Sequence, residues 1–158
     1  VIVSARGEAL ALAIDAAPHI IKPDTRERLD IGGKEIRSVE DILDRGEELL
    51  RCGAELVVVS HDVTGDIAMT KDGSWEIRTS ASVKSFKNLV GADDAFLAGI
   101  LYKLAQEAPV TEAVQFGLAV GLASAKSDDK ICQRMEQIEQ ETRSIGLREV
   151  GGGSREGP

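Results

Sequence analysis

The chain has 158 residues, 42% of them apolar, with 19 basic against 27 acidic side chains and a net charge of −8. That length buries a core without disulfide or metal staples, and the composition excludes disorder, collagen and coiled coil as descriptions of the whole. The charge has the wrong sign for a nucleic-acid binder, and the longest apolar runs, 56–59 and 9–14, fall far short of a membrane span.

A cytoplasmic protein with no nucleic-acid or membrane partner is therefore expected. Cys52 and Cys132 lie far apart with no C-x-x-C spacing, so both read as reduced, buried thiols.

The sequence opens on Val1-Ile2-Val3, a strand-like run without an initiator Met, and an upstream segment is expected. Residues 7–17 carry Leu10, Ala13 and Ile14 at helical spacing, and Pro18 ends them. Ile20-Ile21 is a brief strand that stops at Lys22-Pro23, and Asp24 is placed to cap a short helix over 25–29. Ser38-Val-Glu-Asp41 matches a capping box with Asp in place of Glu. It predicts a helix with Val39, Ile42, Leu43, Leu49 and Leu50 inward, closed by Gly53. Residues 55–60 hold the continuous apolar run of a parallel central strand.

Lys71-Asp72-Gly73 joins 66–70 to 74–78 as a hairpin, with Trp75 covering the sheet edge. A further strand is predicted over 83–86. Helices follow over 94–106, from Pro109 to about Lys126, and over 129–145, the last with a solvated face along 134–143. Gly151 begins a linker-like tail. Strands alternating with helices predict an α/β three-layer sandwich with a mostly parallel central sheet and a hairpin at one edge.

Chemistry concentrates at Asn88-Leu-Val-Gly91-Ala92-Asp93-Asp94-Ala-Phe96. Small residues leading into an amphipathic helix present backbone N–H groups and a positive helix end, which suits an anion. Asp94, in the first turn, is placed to take a proton from a hydroxyl attacking a phosphate held there. The plainer possibility is that Asp94 simply caps the helix. His61 and His19 read as surface and structural residues without a second metal ligand at recognisable spacing.

The order of motifs resembles the C-terminal half of the ribokinase-like (PfkB) carbohydrate kinases, in their 1-phosphofructokinase and tagatose-6-phosphate kinase branch. Ala17-Pro-His-Ile-Ile-Lys22-Pro-Asp24-Thr-Arg-Glu27 is similar to a strand ending in Lys-Pro-Asn-x-x-Glu. Gly53 to Ser60 is similar to the family's central strand, and Ile67 to Gly73 to the hairpin after it. Gly91-Ala-Asp-Asp94-Ala-Phe96-x-Ala-Gly99 is similar to the signature Gly-Ala-Gly-Asp-x-Phe-x-x-Gly.

The resemblance implies ATP-dependent transfer of a phosphoryl group to a sugar or phosphosugar hydroxyl, with Mg²⁺. It implies Asp94 as general base, and the backbone of Gly91, Ala92 and Asp93 as the anion hole. Lys22, Asp24, Ser60 and Gly65 would lie near the nucleotide phosphates, and Glu27 would organise Mg²⁺ through water. It also implies that 1–146 is the nucleotide-side part of the kinase domain and 147–158 a flexible tail. The sugar-binding half would be missing, leaving a surface for a homo-oligomer or a partner chain and little activity in the chain alone.

Departures from the family pattern favour an alternative, a non-catalytic kinase remnant or a nucleotide-binding or association module. Asp93 stands where the signature has Gly, Asp24 where the motif has Asn, Asp62 where the nucleotide turn has its first Gly, and Leu89 where Thr is usual. Three of these changes add acid to a phosphate site. A glycine at 93 would also allow backbone geometry that Asp tolerates less well. A joint Mg²⁺ site on Asp93 and Asp94 is the other functional reading of the pair.

Overall fold

The computed structural model describes residues 1–25, 30–62, 64–128 and 134–151. They form two compact units, one of 1–76 with 148–158, the other of 77–147. The expected short helix over 25–29 and Cys132 fall wholly or mostly outside the described residues.

The first unit holds β1 (Ile2–Val3), α1 (Gly7–Ile14), β2 (Ile20–Ile21), β3 (Asp30–Ile31), β4 (Lys34–Glu35), α2 (Val39–Arg51), β5 (Leu56–Asp62) and β6 (Gly65–Thr70). Next comes β7 (Gly73–Thr79), followed by α3 (Ala92–Leu104), α4 (Val110–Lys126), α5 (Met135–Thr142) and β8 (Ile145–Val150). The sheet has the order β1-β2-β5-β6-β7-β8. β1 pairs with β2 and β2 with β5 in parallel, while β6 runs antiparallel to β5. A two-residue turn returns β7 along β6, so β1, β2, β5 and β7 share one direction. This is the mixed α/β class with a mostly parallel sheet that the alternation of elements predicts.

Val57, Val58 and Val59 are fully buried, as a central strand covered on both faces requires. Val57 and Val59 join Leu10, Ile21, Ile42 and Leu49 in one core cluster of the first unit. α2 starts as its sequence demands. Ser38 Oγ accepts from the Asp41 N–H at 3.1 Å, and the Ser38 N–H donates back to Asp41 Oδ2 at 3.0 Å. Ser38→Ala should lower the unfolding free energy by about 0.5–2 kcal/mol in urea titration, the ordinary cost of a lost cap.

A small hairpin of β3 and β4, which the helical and strand patterns passed over, turns on Gly32 and Gly33 at φ +60° and +85°. Two positive-φ residues in succession are what a tight primed turn needs. α2 docks on this hairpin through Arg45 Nε, which donates to the Ile31 carbonyl at 3.1 Å. Hydrogen bonds from Lys34 and then Arg45 hold the Glu48 carboxyl down at about 2. A carboxylate depressed in the folded state stabilises above its unfolded value and loses that contribution as pH falls. The Glu48 contribution should therefore vanish between about pH 5 and pH 2. Lys34→Met should move the Glu48 titration upward, read by carboxyl NMR.

Several expectations are corrected. Residues 83–85 form a 3-10 turn rather than a strand, because Ser82 Oγ accepts the Lys84 N–H and Ser85 Oγ donates back to the Ser82 carbonyl. The last helix stops at Thr142, and Ile145 to Val150 enter the sheet as β8 beside β7. The tail boundary at 147 thus falls inside a strand, which is pinned where Arg148 Nη2 meets Glu76 Oε2 at 2.6 Å. β8 also lies outside the hairpin, so Trp75 sits on an interior strand instead of at the sheet edge. Cys52 is exposed, not buried, because it is the C-cap of α2 just past the buried Leu49 and Leu50. Among the described residues no helix is long and apolar enough to cross a membrane.

Candidate functional site

In open α/β sheets, ligands gather at the carboxyl ends of the parallel strands. Lys22 stands just past the end of β2, and Ser60 near the end of its parallel neighbour β5. The ladder continues beyond β2, because the Lys22 N–H donates to the Val3 carbonyl and the Asp24 N–H to that of Ala5, each at 2.9 Å. That pairing fixes the direction in which the chain leaves the strand.

Lys22 is 2% exposed and points its ammonium at Ser60 Oγ, 3.4 Å away. Ser60 Oγ donates to Asp66 Oδ1 at 2.5 Å, and Asp66 is itself 5% exposed. Thr25 Oγ1 closes the group by donating to the Ser60 carbonyl at 3.0 Å. The structure thus brings together two of the expected phosphate residues, Lys22 and Ser60. It adds Asp66 and Thr25, which the motifs did not include. Asp24 is half-buried beside them in sequence, and Gly65 is buried at the head of β6. Glu27 lies outside the described residues.

Asp62, read as a departure in the nucleotide turn, accepts from the Thr64 N–H at 2.6 Å and from Thr64 Oγ1 at 2.9 Å. An Asx turn of this kind is a routine way for Asp to bend a β connection. It coincides with a break in the β5·β6 register between Ser60 and Asp62. His61 is less of a surface residue than expected. It is on β5, 15% exposed, with Nε2 3.5 Å from Glu76 Oε1. Its partner is remote in sequence, so nothing local signalled it.

The second unit carries the remaining expected residues. Gly91 adopts φ +78° and ψ −2° as the N-cap of α3, a left-handed conformation that glycine alone enters without penalty. Its N-cap glycine brings no side chain to cap α3, and the Ala92 N–H donates to the Leu89 carbonyl at 3.1 Å. The leading N–H groups of any α-helix lack intrahelical acceptors and carry the positive end of its dipole. Asp93 is half-buried and Asp94 exposed, both in the first turn. Asp93 is not among the positive-φ residues, so its backbone is ordinary. The expected conflict with a glycine-only geometry is absent, and what the substitution changes there is charge.

Gly99, Gly117 and Gly121 seat α3 on α4. A Cβ on Gly121 would lie 3.0 Å from the Ala92 carbonyl oxygen, so the small residues of α4 also set the position of the turn. Among the described residues no three His, Cys, Asp or Glu side chains cluster to hold a metal ion.

The mostly parallel sheet with helices between its strands makes this an α/β protein. The sequence profile described as pfkB family carbohydrate kinase matches residues 1–132, and the chain belongs to that family. It is 34% identical to the 1-phosphofructokinase of Bacillus subtilis over 131 residues, spanning 82% of this chain and 42% of that one. It is 30% identical to the ATP-dependent 6-phosphofructokinase isozyme 2 of Escherichia coli, over 78% of this chain and 40% of the relative. A crystal structure described as a possible 1-phosphofructokinase from Thermotoga maritima superposes with a TM-score of 0.74 at 30% identity, covering 84% of this chain and 42% of that one. The chain therefore spans about two fifths of the length of these relatives.

Proposed function

We infer that the chain supplies the nucleotide-phosphate side and the base of an ATP-dependent phosphosugar kinase of the 1-phosphofructokinase type. The observation that carries this reading is the glycine-led start of α3 with Asp94 exposed in its first turn, within a chain that the family profile matches. In the proposed step the Asp94 carboxylate takes the proton of the acceptor hydroxyl. That oxygen attacks the γ-phosphorus of ATP, and the bond to the β-phosphate oxygen breaks to leave ADP. The backbone of Gly91, Ala92 and Asp93 steadies the phosphoryl oxygens, and Lys22, Asp24, Ser60 and Gly65 serve the remaining phosphates.

Mg²⁺ would be carried mainly by phosphate and water, with Glu27 as an outer ligand. Bound there, Mg²⁺ neutralises phosphate charge. A kinase must also hold its acceptor in a near-attack position. With two fifths of a relative's length, the chain alone is expected to turn over slowly. The surface that the remainder of such a relative covers would suit a second copy or a partner chain.

Titration of ATP with Mg²⁺, followed by ATP-consumption assays with fructose 1-phosphate and tagatose 6-phosphate, tests the reading. Binding with slow turnover supports it, whereas absence of nucleotide binding overturns it. The second reading, a non-catalytic association module, draws on the carboxylate of Asp93 beside the anion turn. Concentration-dependent association in size-exclusion chromatography without nucleotide binding would favour it.

Asp93 separates the two. An acid in the first turn steadies a helix by about 0.3–1 kcal/mol, and the same charge opposes an incoming phosphate. Asp93→Gly should lower thermal stability slightly and tighten ADP binding about threefold to tenfold at low salt, with the gain shrinking as salt screens the charge. Weaker Mg²⁺-dependent binding in this variant would instead make Asp93 a metal-site residue.

A further inference from the structure

Lys22 and Asp66 are the two ionisable side chains, among the described residues, that the fold buries. They carry opposite charges and share one hydroxyl. Ser60 has a single O–H proton, and it goes to Asp66 Oδ1, while the Lys22 ammonium donates to Ser60 Oγ. The chain of donors therefore runs from ammonium through hydroxyl to carboxylate, and it ends inside the protein. A hydroxyl committed to a carboxylate in a charge-assisted bond has no proton left to offer a phosphate. An ammonium turned inward is likewise withheld from one.

The geometry points to Asp66 as an internal stand-in for phosphate: through Ser60 it helps hold Lys22 inward, and a phosphate oxygen that takes the Ser60 hydroxyl proton displaces the Asp66 carboxylate. The inference rests on the proposed role of Lys22 and Ser60 as phosphate ligands. It makes Asp66 a positioning residue that sets how readily the strand ends accept a polyphosphate. No motif singled it out, because a lone acid at the head of an apolar strand, Asp66-Ile-Ala-Met, reads locally as a turn residue. Its partners lie 6 and 44 positions away along the chain.

The test uses the full chain, with inorganic tripolyphosphate as ligand and acetic anhydride as lysine probe, read by peptide mass spectrometry. The exposed Lys71 is the internal reference. Asp66→Asn keeps the size and an acceptor oxygen for Ser60 but removes the charge. Removing a carboxylate that faces a buried ammonium through one hydroxyl weakens the hold on that ammonium by about tenfold or more.

In the parent, Lys22 should label at least about tenfold more slowly than Lys71. Asp66→Asn should raise Lys22 labelling and tripolyphosphate affinity by about tenfold each, and Lys22→Met added to it should abolish the gain in affinity. Parent Lys22 labelling at the Lys71 rate, or Lys22 labelling unchanged in Asp66→Asn, overturns the inference. Lys22 released with no gain in affinity supports the hold by Asp66 and overturns the phosphate role of Lys22. Should Asp66→Asn fail to fold, Ser60→Ala takes its place. Faster labelling of Lys22 in that variant supports the relay, and an unchanged rate overturns it.

Discussion

Gly117→Ala should lower the unfolding free energy by about 1–3 kcal/mol, the range for overpacking a close contact, although alanine improves helix propensity by about 1 kcal/mol. The reason lies in what a methyl group there would meet. A Cβ on Gly117 would sit 2.6 Å from Ile100 Cγ1 and 2.7 Å from both Phe96 Cδ2 and the Phe96 carbonyl oxygen. The reciprocal position is as tight, since a Cβ on Gly99 would lie 2.8 Å from the Gly117 Cα. The Phe96 carbonyl is backbone, so movement of the Ile100 and Phe96 side chains alone cannot make room and α3 itself must move. Gly46 in α2 supplies the contrast. Its Cβ would strike only Met69, at Sδ and Cε, the far end of an unbranched side chain. Gly46→Ala should cost clearly less than Gly117→Ala in paired urea titrations. An equal loss in both would show that rigidity of the neighbour does not decide the outcome. Because α3 carries the turn at Gly91, the damage at Gly117 should extend to any nucleotide binding that survives.

Local features of this fold were legible in the residues, and remote ones were not. Ser38 and Asp41 announced the start of α2 because a capping box is written within four residues. The run at 56–59 announced a buried central strand, and Gly91 with Asp94 announced a helix start. Each depends on neighbours along the chain. The Lys22–Ser60–Asp66 group could not be read that way, because its members come from different strands and gain their burial only when the sheet forms.

The same limit explains β8. Ile145-Gly-Leu-Arg-Glu-Val ends in a glycine-rich segment and has modest strand character alone, yet β7 supplies a pairing edge and Glu76 an ion pair for Arg148. The acids at 62 and 93 teach the converse. Both read as damage to a phosphate site. The structure gives Asp62 a turn to hold through Thr64 and gives Asp93 an unstrained place in a helix. A change that departs from a motif can still be well accommodated by the fold, and its consequence is then electrostatic alone.

Asp94→Asn should abolish most of whatever phosphoryl transfer the chain sustains, by about 10²–10⁴-fold in kcat, the usual contribution of a positioned general base. The amide keeps the size of the side chain but cannot take the proton of the acceptor hydroxyl. Asp94 is exposed at the head of α3, so the substitution strands no buried partner. The loss of a first-turn acid should cost about 0.3–1 kcal/mol of helix stabilisation at most. Folding and catalysis should therefore part company, with a nearly unchanged thermal melt and a collapsed rate.

Nucleotide affinity should stay the same or improve, because one negative charge has left the neighbourhood of the phosphates. A fall in kcat with steady nucleotide binding is the signature of an interaction made only in the transition state. If the plainer reading of Asp94 as a helix acid were the whole story, the variant would lose a little stability and keep its rate. Single-turnover assays with fructose 1-phosphate, run beside calorimetric titration of ADP, separate the two outcomes in one preparation.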